Sequence, residues 1–215
     1  MRLLRYLPDS LRSRLIIRLV QPFTLVSPTR LLSLFELAQR IEKEGIPGDV
    51  VECGVYNGGS AAVLAHATAA SKVERTVWLF DSFQGMPRPT SEDGEDASAY
   101  AGGIVGDTEK VRAVFKRVGV DMERIRIVKG WYQETFSSAR VEEIALLNLD
   151  ADWYESVKLC LEKFYDYVVK GGFINIDDYG HWAGCRRALH EFFETRHISP
   201  TLNEVDYTAR WFRKL

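Results

Sequence analysis

The sequence predicts an α/β fold: a mostly parallel sheet with helices on both faces and an antiparallel strand closing its C-terminal edge. Strand-like and helix-like segments alternate along most of the chain, the pattern of repeated crossover connections. The run Ile144-Ala145-Leu146-Leu147 is apolar throughout, as burial on both faces of a sheet demands. Two strand-like runs end in carboxylate pairs, Asp150-Ala151-Asp152 and Asp177-Asp178, at the sheet edge where α/β proteins bind ligands.

Residues 1–30 open the chain as a basic, amphipathic segment. Arg2, Arg5, Arg12, Arg14 and Arg18 alternate with Leu11, Leu15, Ile16 and Leu19. The start Met1-Arg2-Leu3-Leu4-Arg5 has no continuous apolar core or small-residue cleavage site, so no signal peptide is predicted. No stretch has the length of a transmembrane helix. The segment reads as a helix packed on its own domain, a lid, or a contact in a homo-oligomer; a membrane surface or acidic partner is the alternative.

Residues 31–215 read as a single domain. Ser27-Pro28-Thr29 starts a helix that continues through Leu31, Leu34, Phe35, Ala38 and Ile41 until Gly45-Ile46-Pro47-Gly48 stops it. Strands are predicted over 50–55, 76–81, 124–129, 144–149 and 172–176. Helices are predicted over 60–70, 108–118, 154–168 and 184–195. Residues 200–215 suit a closing hairpin. The stretch 84–106 has no periodicity and several Gly, Pro, Asp and Glu; at that length it reads as an active-site lid inserted in the domain.

Composition removes some classes of function. The 215 residues, 46% hydrophobic and 27% charged, suit one domain with a sizeable core. Lys and Arg number 28 against 30 Asp and Glu, so no basic field calls for nucleic acid. Cys53, Cys160 and Cys185 are far apart and fit neither a zinc site nor a disulfide framework, which predicts reduced thiols in a cytoplasmic protein.

Four Asp side chains converging at one sheet edge repel one another unless a cation or protons offset the charge. A hard, oxygen-liganded ion such as Mg²⁺ is the economical answer. Between the first strand and its helix, glycines 54, 58 and 59 let the backbone turn sharply and let a ligand approach. Their spacing is not the dinucleotide fingerprint. Asp81, ending the second strand, sits where an acidic residue accepts ribose hydroxyls in nucleoside-binding α/β folds. A ribose acid without a phosphate cradle favours a nucleoside lacking pyrophosphate, and S-adenosylmethionine is of that kind.

Four motifs occur in order: Glu52-Cys53-Gly54-Val55-Tyr56-Asn57-Gly58-Gly59-Ser60, Phe80-Asp81-Ser82-Phe83-Gln84-Gly85-Met86-Pro87, Asp150-Ala151-Asp152-Trp153-Tyr154-Glu155-Ser156 and Asp177-Asp178-Tyr179. The set resembles the TylF/macrocin O-methyltransferase family of metal-dependent sugar O-methyltransferases, from about Thr29 to a closing Trp211-Phe212-Arg213-Lys214. The resemblance implies a class I methyltransferase (Rossmann-like) sheet. It implies that the methionine part of S-adenosylmethionine lies near Glu52, Gly54 and Tyr56, with Ser60 opening the next helix. It further implies that Asp81 takes the ribose with Ser82 nearby, that Asp150, Asp177 and Asp178 hold Mg²⁺ or another divalent ion, and that Asp152 is the general base. The acceptor implied is a small-molecule glycoside or saccharide.

Some residues carry a second meaning. His181, three positions after Asp178, is a rival base by position alone; Trp131 and Tyr132 either flank the adenine or fill the core. Asp152 precedes a helix and could simply cap it. Paired Asp motifs also mark metal-dependent glycosyltransferases and phosphatases, but neither gives the glycine turn and Asp81 a task. A non-catalytic nucleoside-binding module is the remaining alternative.

Overall fold

Five segments rich in Val, Ile and Leu form the parallel body of one sheet: β1 (Asp49–Cys53), β2 (Val77–Asp81), β3 (Ile125–Lys129), β4 (Ile144–Leu149) and β5 (Val168–Ile176). The computed structural model describes residues 8–69 and 73–215. The short β6 (Asn203–Glu204) and β7 (Arg210–Arg213) complete seven strands in the order β3-β2-β1-β4-β5-β7-β6. β7 runs antiparallel to β5, pairing Ile174 with Phe212. The α/β class and the closing antiparallel hairpin are as the sequence predicts.

Each strand sends alternate residues to opposite faces. Val50, Leu79, Leu146 and Phe173 face one core with α1 (Asp9–Val20), α2 (Pro28–Lys43), α3 (Gly59–Ala67) and α4 (Thr108–Val118). Val51, Phe80, Leu147 and Ile174 face the other with α5 (Tyr132–Thr135), α6 (Tyr154–Phe164) and α7 (Ala183–Arg196). Helix α1 buries Ser13, Ile16 and Val20 against its own domain while Leu11 and Leu15 stay exposed. Met1 to Arg5 lie outside the described residues. Among the described residues no helix is long and apolar enough to cross a membrane.

Four boundaries depart from the sequence prediction by two residues or more, among them the start of β5, at Val168 rather than at residue 172. β1 ends at Cys53 rather than at residue 55, because Gly54 turns the chain at φ +88°. Helix α3 ends at Ala67, and residue 70 lies outside the described residues. Helix α6 ends at Phe164; a 3₁₀ turn over Tyr165–Tyr167 hands the chain to β5 at Val168. Over so short an apolar run, helical and strand periods look alike. The segment 84–106 is not featureless either, since it carries 3₁₀ turns at Ser91–Asp93 and Glu95–Tyr100.

Candidate active site

The order in which strands are added to the sheet reverses between the parallel neighbours β1 and β4, and the crevice outside their carboxyl ends is the expected ligand position. A single cavity opens there. It is lined by Gly54, Tyr56, Ser60, Asp81, Ser82 and Trp131 together with Asp150, Asp152, Asp177, Asp178 and His181. Of the eleven site residues singled out above besides Glu52, all line it.

The glycine turn is built around Asp81. Its Oδ2 accepts the backbone N–H groups of Val55 at 2.7 Å and Tyr56 at 2.9 Å, and its Oδ1 accepts that of Phe83 at 2.7 Å. Tyr56 and Phe83 both sit at φ +52°, so the carboxylate fixes two left-handed residues on either side. Gly54 is obligatory: a Cβ there falls 1.7 Å from the Asp150 carbonyl oxygen. Asp81 uses three of about four lone-pair positions and can accept one more donor. Gly130 N–H donates to the Asp81 carbonyl at 3.0 Å, which brings Trp131 to the same end of the cavity.

Glu52 is the residue the cavity does not contain. It lies one layer below the floor, fully buried, its Oε1 accepting from Asn148 Nδ2 at 2.8 Å. Asn175 Nδ2 donates to Asn148 Oδ1 at 2.8 Å, so a polar rung crosses β1, β4 and β5 in register. Burial pushes the Glu52 carboxyl up to about 8, partly offset by hydrogen bonds from Ser60 and Asn148.

At the other end the carboxylates crowd. One oxygen each from Asp150, Asp177 and Asp178 lie within 4.8 Å of one another, a spacing suited to a shared ion. Burial and then the neighbouring carboxylates push the Asp150 and Asp178 carboxyls well above the usual range. Asp177 is pushed to about 6 by burial, against the pull of Arg30. Asp178 Oδ2 is buried with no hydrogen-bond partner. Such an orphaned oxygen, in a set of hard donors, fits a divalent cation.

Arg30 of α2 is a charge the sequence reading missed. Its guanidinium pairs with Asp177 and lies 3.5 Å from Asp206 Oδ2. Helix periodicity alone carries no signal of that meeting. Asp152 does not cap α6: the N-cap is Trp153, without a side-chain bond, and Asp152 stands at φ +55° with Oδ1 accepting Trp182 Nε1 at 3.0 Å. Burial raises Asp152 to about 6. His181 is exposed at the rim, its Nδ1 3.4 Å from the Tyr207 hydroxyl.

Sheet order and a cavity at the switch point define a class I methyltransferase fold. Over 96% of this chain and 99% of its own, the structure titled "Structure of the O-methyltransferase NovP" superposes with a TM-score of 0.86 at 24% identity. The profile of the macrocin-O-methyltransferase (TylF) family matches residues 18–214, and the chain belongs to that family of O-methyltransferases. Two curated relatives agree. The 8-demethyl-8-(2,3-dimethoxy-alpha-L-rhamnosyl)-tetracenomycin-C 4'-O-methyltransferase of Streptomyces olivaceus is 36% identical over 88% of this chain and 75% of its own. The mycinamicin III 3''-O-methyltransferase of Micromonospora griseorubida is 33% identical over 89% of this chain and 78% of its own.

Proposed function

We propose that this O-methyltransferase moves the methyl group of S-adenosylmethionine onto a sugar hydroxyl of a glycosylated small molecule, aided by Mg²⁺ or a similar ion. One observation carries the reading: a single cavity joins the Asp81-centred glycine turn to the Asp150, Asp177 and Asp178 trio. The curated relatives, named for methylating sugar positions of natural products, support the acceptor class. So does the cavity mouth, where Leu25, Tyr100, Ile104 and Tyr207 from three separate loops stay exposed and offer an apolar seat to an aglycone.

Asp81 accepts one ribose hydroxyl through its spare lone pair, and Gly54 and Tyr56 flank the methionine part. Asp150, Asp177 and Asp178 would hold the ion, which when bound acidifies and orients an acceptor hydroxyl. Asp152 takes the hydroxyl proton as the oxygen attacks the methyl carbon; the carbon–sulfur bond breaks, its electron pair passing to sulfur. His181, exposed at the cavity rim, closes the acceptor end. The segment 84–106 excludes water.

Calorimetry with S-adenosylhomocysteine and methyl-transfer assays on a panel of rhamnosides, with Mg²⁺ or chelator, test this. Binding of the cofactor product in the micromolar range and metal-dependent transfer are expected. Tight binding of a nucleotide-sugar with none of S-adenosylhomocysteine would overturn the reading in favour of glycosyl transfer.

A further inference from the structure

Asp93 lies on the segment 84–106, far in sequence from the acidic turns, yet it is buried at their back. Its Oδ1 accepts the backbone N–H of Tyr154, the first residue of α6, at 2.6 Å. Its Oδ2 accepts both Thr90 N at 2.7 Å and Thr90 Oγ1 at 3.1 Å, a capping box that ties the lid's own turn to the same carboxylate. A Cβ on Gly184, in the first turn of α7, would fall 2.0 Å from that Oδ1. One carboxylate thus sits at the positive ends of two helices, each beginning just after an acidic turn.

Other lid contacts go to the same place. Trp153 Nε1 donates to the Pro87 carbonyl at 3.0 Å. The Tyr100 ring meets Trp182 edge-on at 5.3 Å, and Trp182 in turn packs on Trp153 at 4.8 Å. Trp182 Nε1 is the donor that holds Asp152. The lid is therefore fastened to residues 153, 154 and 182 and abuts Gly184, and these flank the cavity carboxylates without lying among them.

Helix α6 has no side-chain cap of its own: Trp153 occupies the N-cap position, and Asp152 stands one residue before it. We propose that Asp93 is a positioning residue: delivered by the lid, it caps α6 in place of Asp152 and leaves the Asp152 carboxylate to face the cavity. With the lid docked, Asp152 holds its left-handed conformation; with Asp93 withdrawn, the bare Tyr154 N–H competes for it. Lid closure and alignment of the proton acceptor become one event. This rests on the reading of Asp152 given above.

Asp93→Ala and Asp93→Asn separate the latch from mere stability, because Asn keeps the acceptor for Tyr154 N–H. For Asp93→Ala, kcat falls about tenfold, the size of a lost cap, while S-adenosylhomocysteine affinity changes by less than about threefold. Proteolytic cleavage within 84–106 and hydrogen exchange at the Tyr154 amide both accelerate about tenfold as the cap is lost. Asp93→Asn recovers most of kcat and of the exchange protection, which follow the Tyr154 cap, while cleavage stays partly raised because Thr90 N–H loses its acceptor. Gly184→Ala, which displaces the Asp93 carboxylate by contact while leaving residue 93 unsubstituted, reproduces the Ala phenotype. Unchanged cleavage and exchange in Asp93→Ala, or equal kcat losses in the Ala and Asn variants, would overturn the latch. Cleavage and exchange need no turnover, so they decide the latch even where the wild-type protein methylates none of the glycosides tried and the proposed function fails.

Discussion

Asp81 and Asp178 both stand at the carboxyl ends of parallel strands and face one cavity, yet they are treated in opposite ways. Asp81 accepts three backbone N–H groups, and the chain on either side adopts left-handed residues to supply them. Asp178 keeps a buried oxygen with no partner, beside two more carboxylates and a single guanidinium. One end of the cavity is folded around its charge. The other end holds charge that folding leaves unsettled, and burial answers by favouring the protonated acids. Substitutions at the two ends should therefore fail differently: by loss of structure at the first, by loss of chemistry at the second.

The largest effect tests the crowded end. In Asp150→Asn, methyl transfer should drop by about three orders of magnitude, as for loss of a ligand to an activating ion. Its melting temperature in chelator should hold or rise, because a buried like charge has gone. A variant that melts several degrees lower while keeping its activity would erase the contrast between the ends.

Metal itself sharpens the same point. At a hundredfold excess over its dissociation constant, Mg²⁺ should stabilise the wild-type protein by about 2.7 kcal/mol, raising the melting temperature by about 8 °C. Asp178→Asn should lose most of that rise in a thermal-shift titration. An equal rise in both proteins would mean that the ion binds elsewhere.

Asp81→Asn tests the satisfied end. An amide in place of the carboxylate cannot accept all three N–H groups, and a stranded donor costs about 2 kcal/mol, or roughly 6 °C. Calorimetry should also find S-adenosylhomocysteine about tenfold weaker, since the ribose loses a charged acceptor. Full stability in this variant would show that the turn forms without its carboxylate.

The difference between the ends also governs what the sequence reveals. The strands and both acidic turns are legible because each is local: an apolar run, then Asp. β4 and α4 match residue for residue. Arg30, Asp206 and Tyr207 are not legible, because only the closing hairpin and α2 bring them to the cavity. Asp152 is read as a possible cap since nothing local says that the cap comes from residue 93. There was a signal, however: Thr90 and Asp93 stand three apart, the spacing of a capping box, inside a stretch otherwise read as structureless. The burial of Glu52 beneath the floor depends on the Asn148 and Asn175 side chains beside it, a cross-strand arrangement that no single strand announces.

Glu52 yields the smallest prediction and the one that joins the two ends, since its rung lies two residues before Gly54, Asp150 and Asp177 on three adjacent strands. Its folded pKa of about 8 lies above the ordinary 4.5, so the folded protein keeps a proton that the unfolded chain has released. Stability from this group is complete below the ordinary value and is lost as pH rises towards about 8. Glu52→Gln keeps the acceptor for Asn148 and removes the titration. Between about pH 6 and 7, the wild-type protein should lose roughly 1.4 kcal/mol relative to this variant in metal-free denaturant unfolding. Parallel stability curves across that interval would mean that Glu52 is already ionised in the fold. A buried charge would then lie beneath both halves of the cavity, and the division between a settled end and an unsettled one would have to be redrawn.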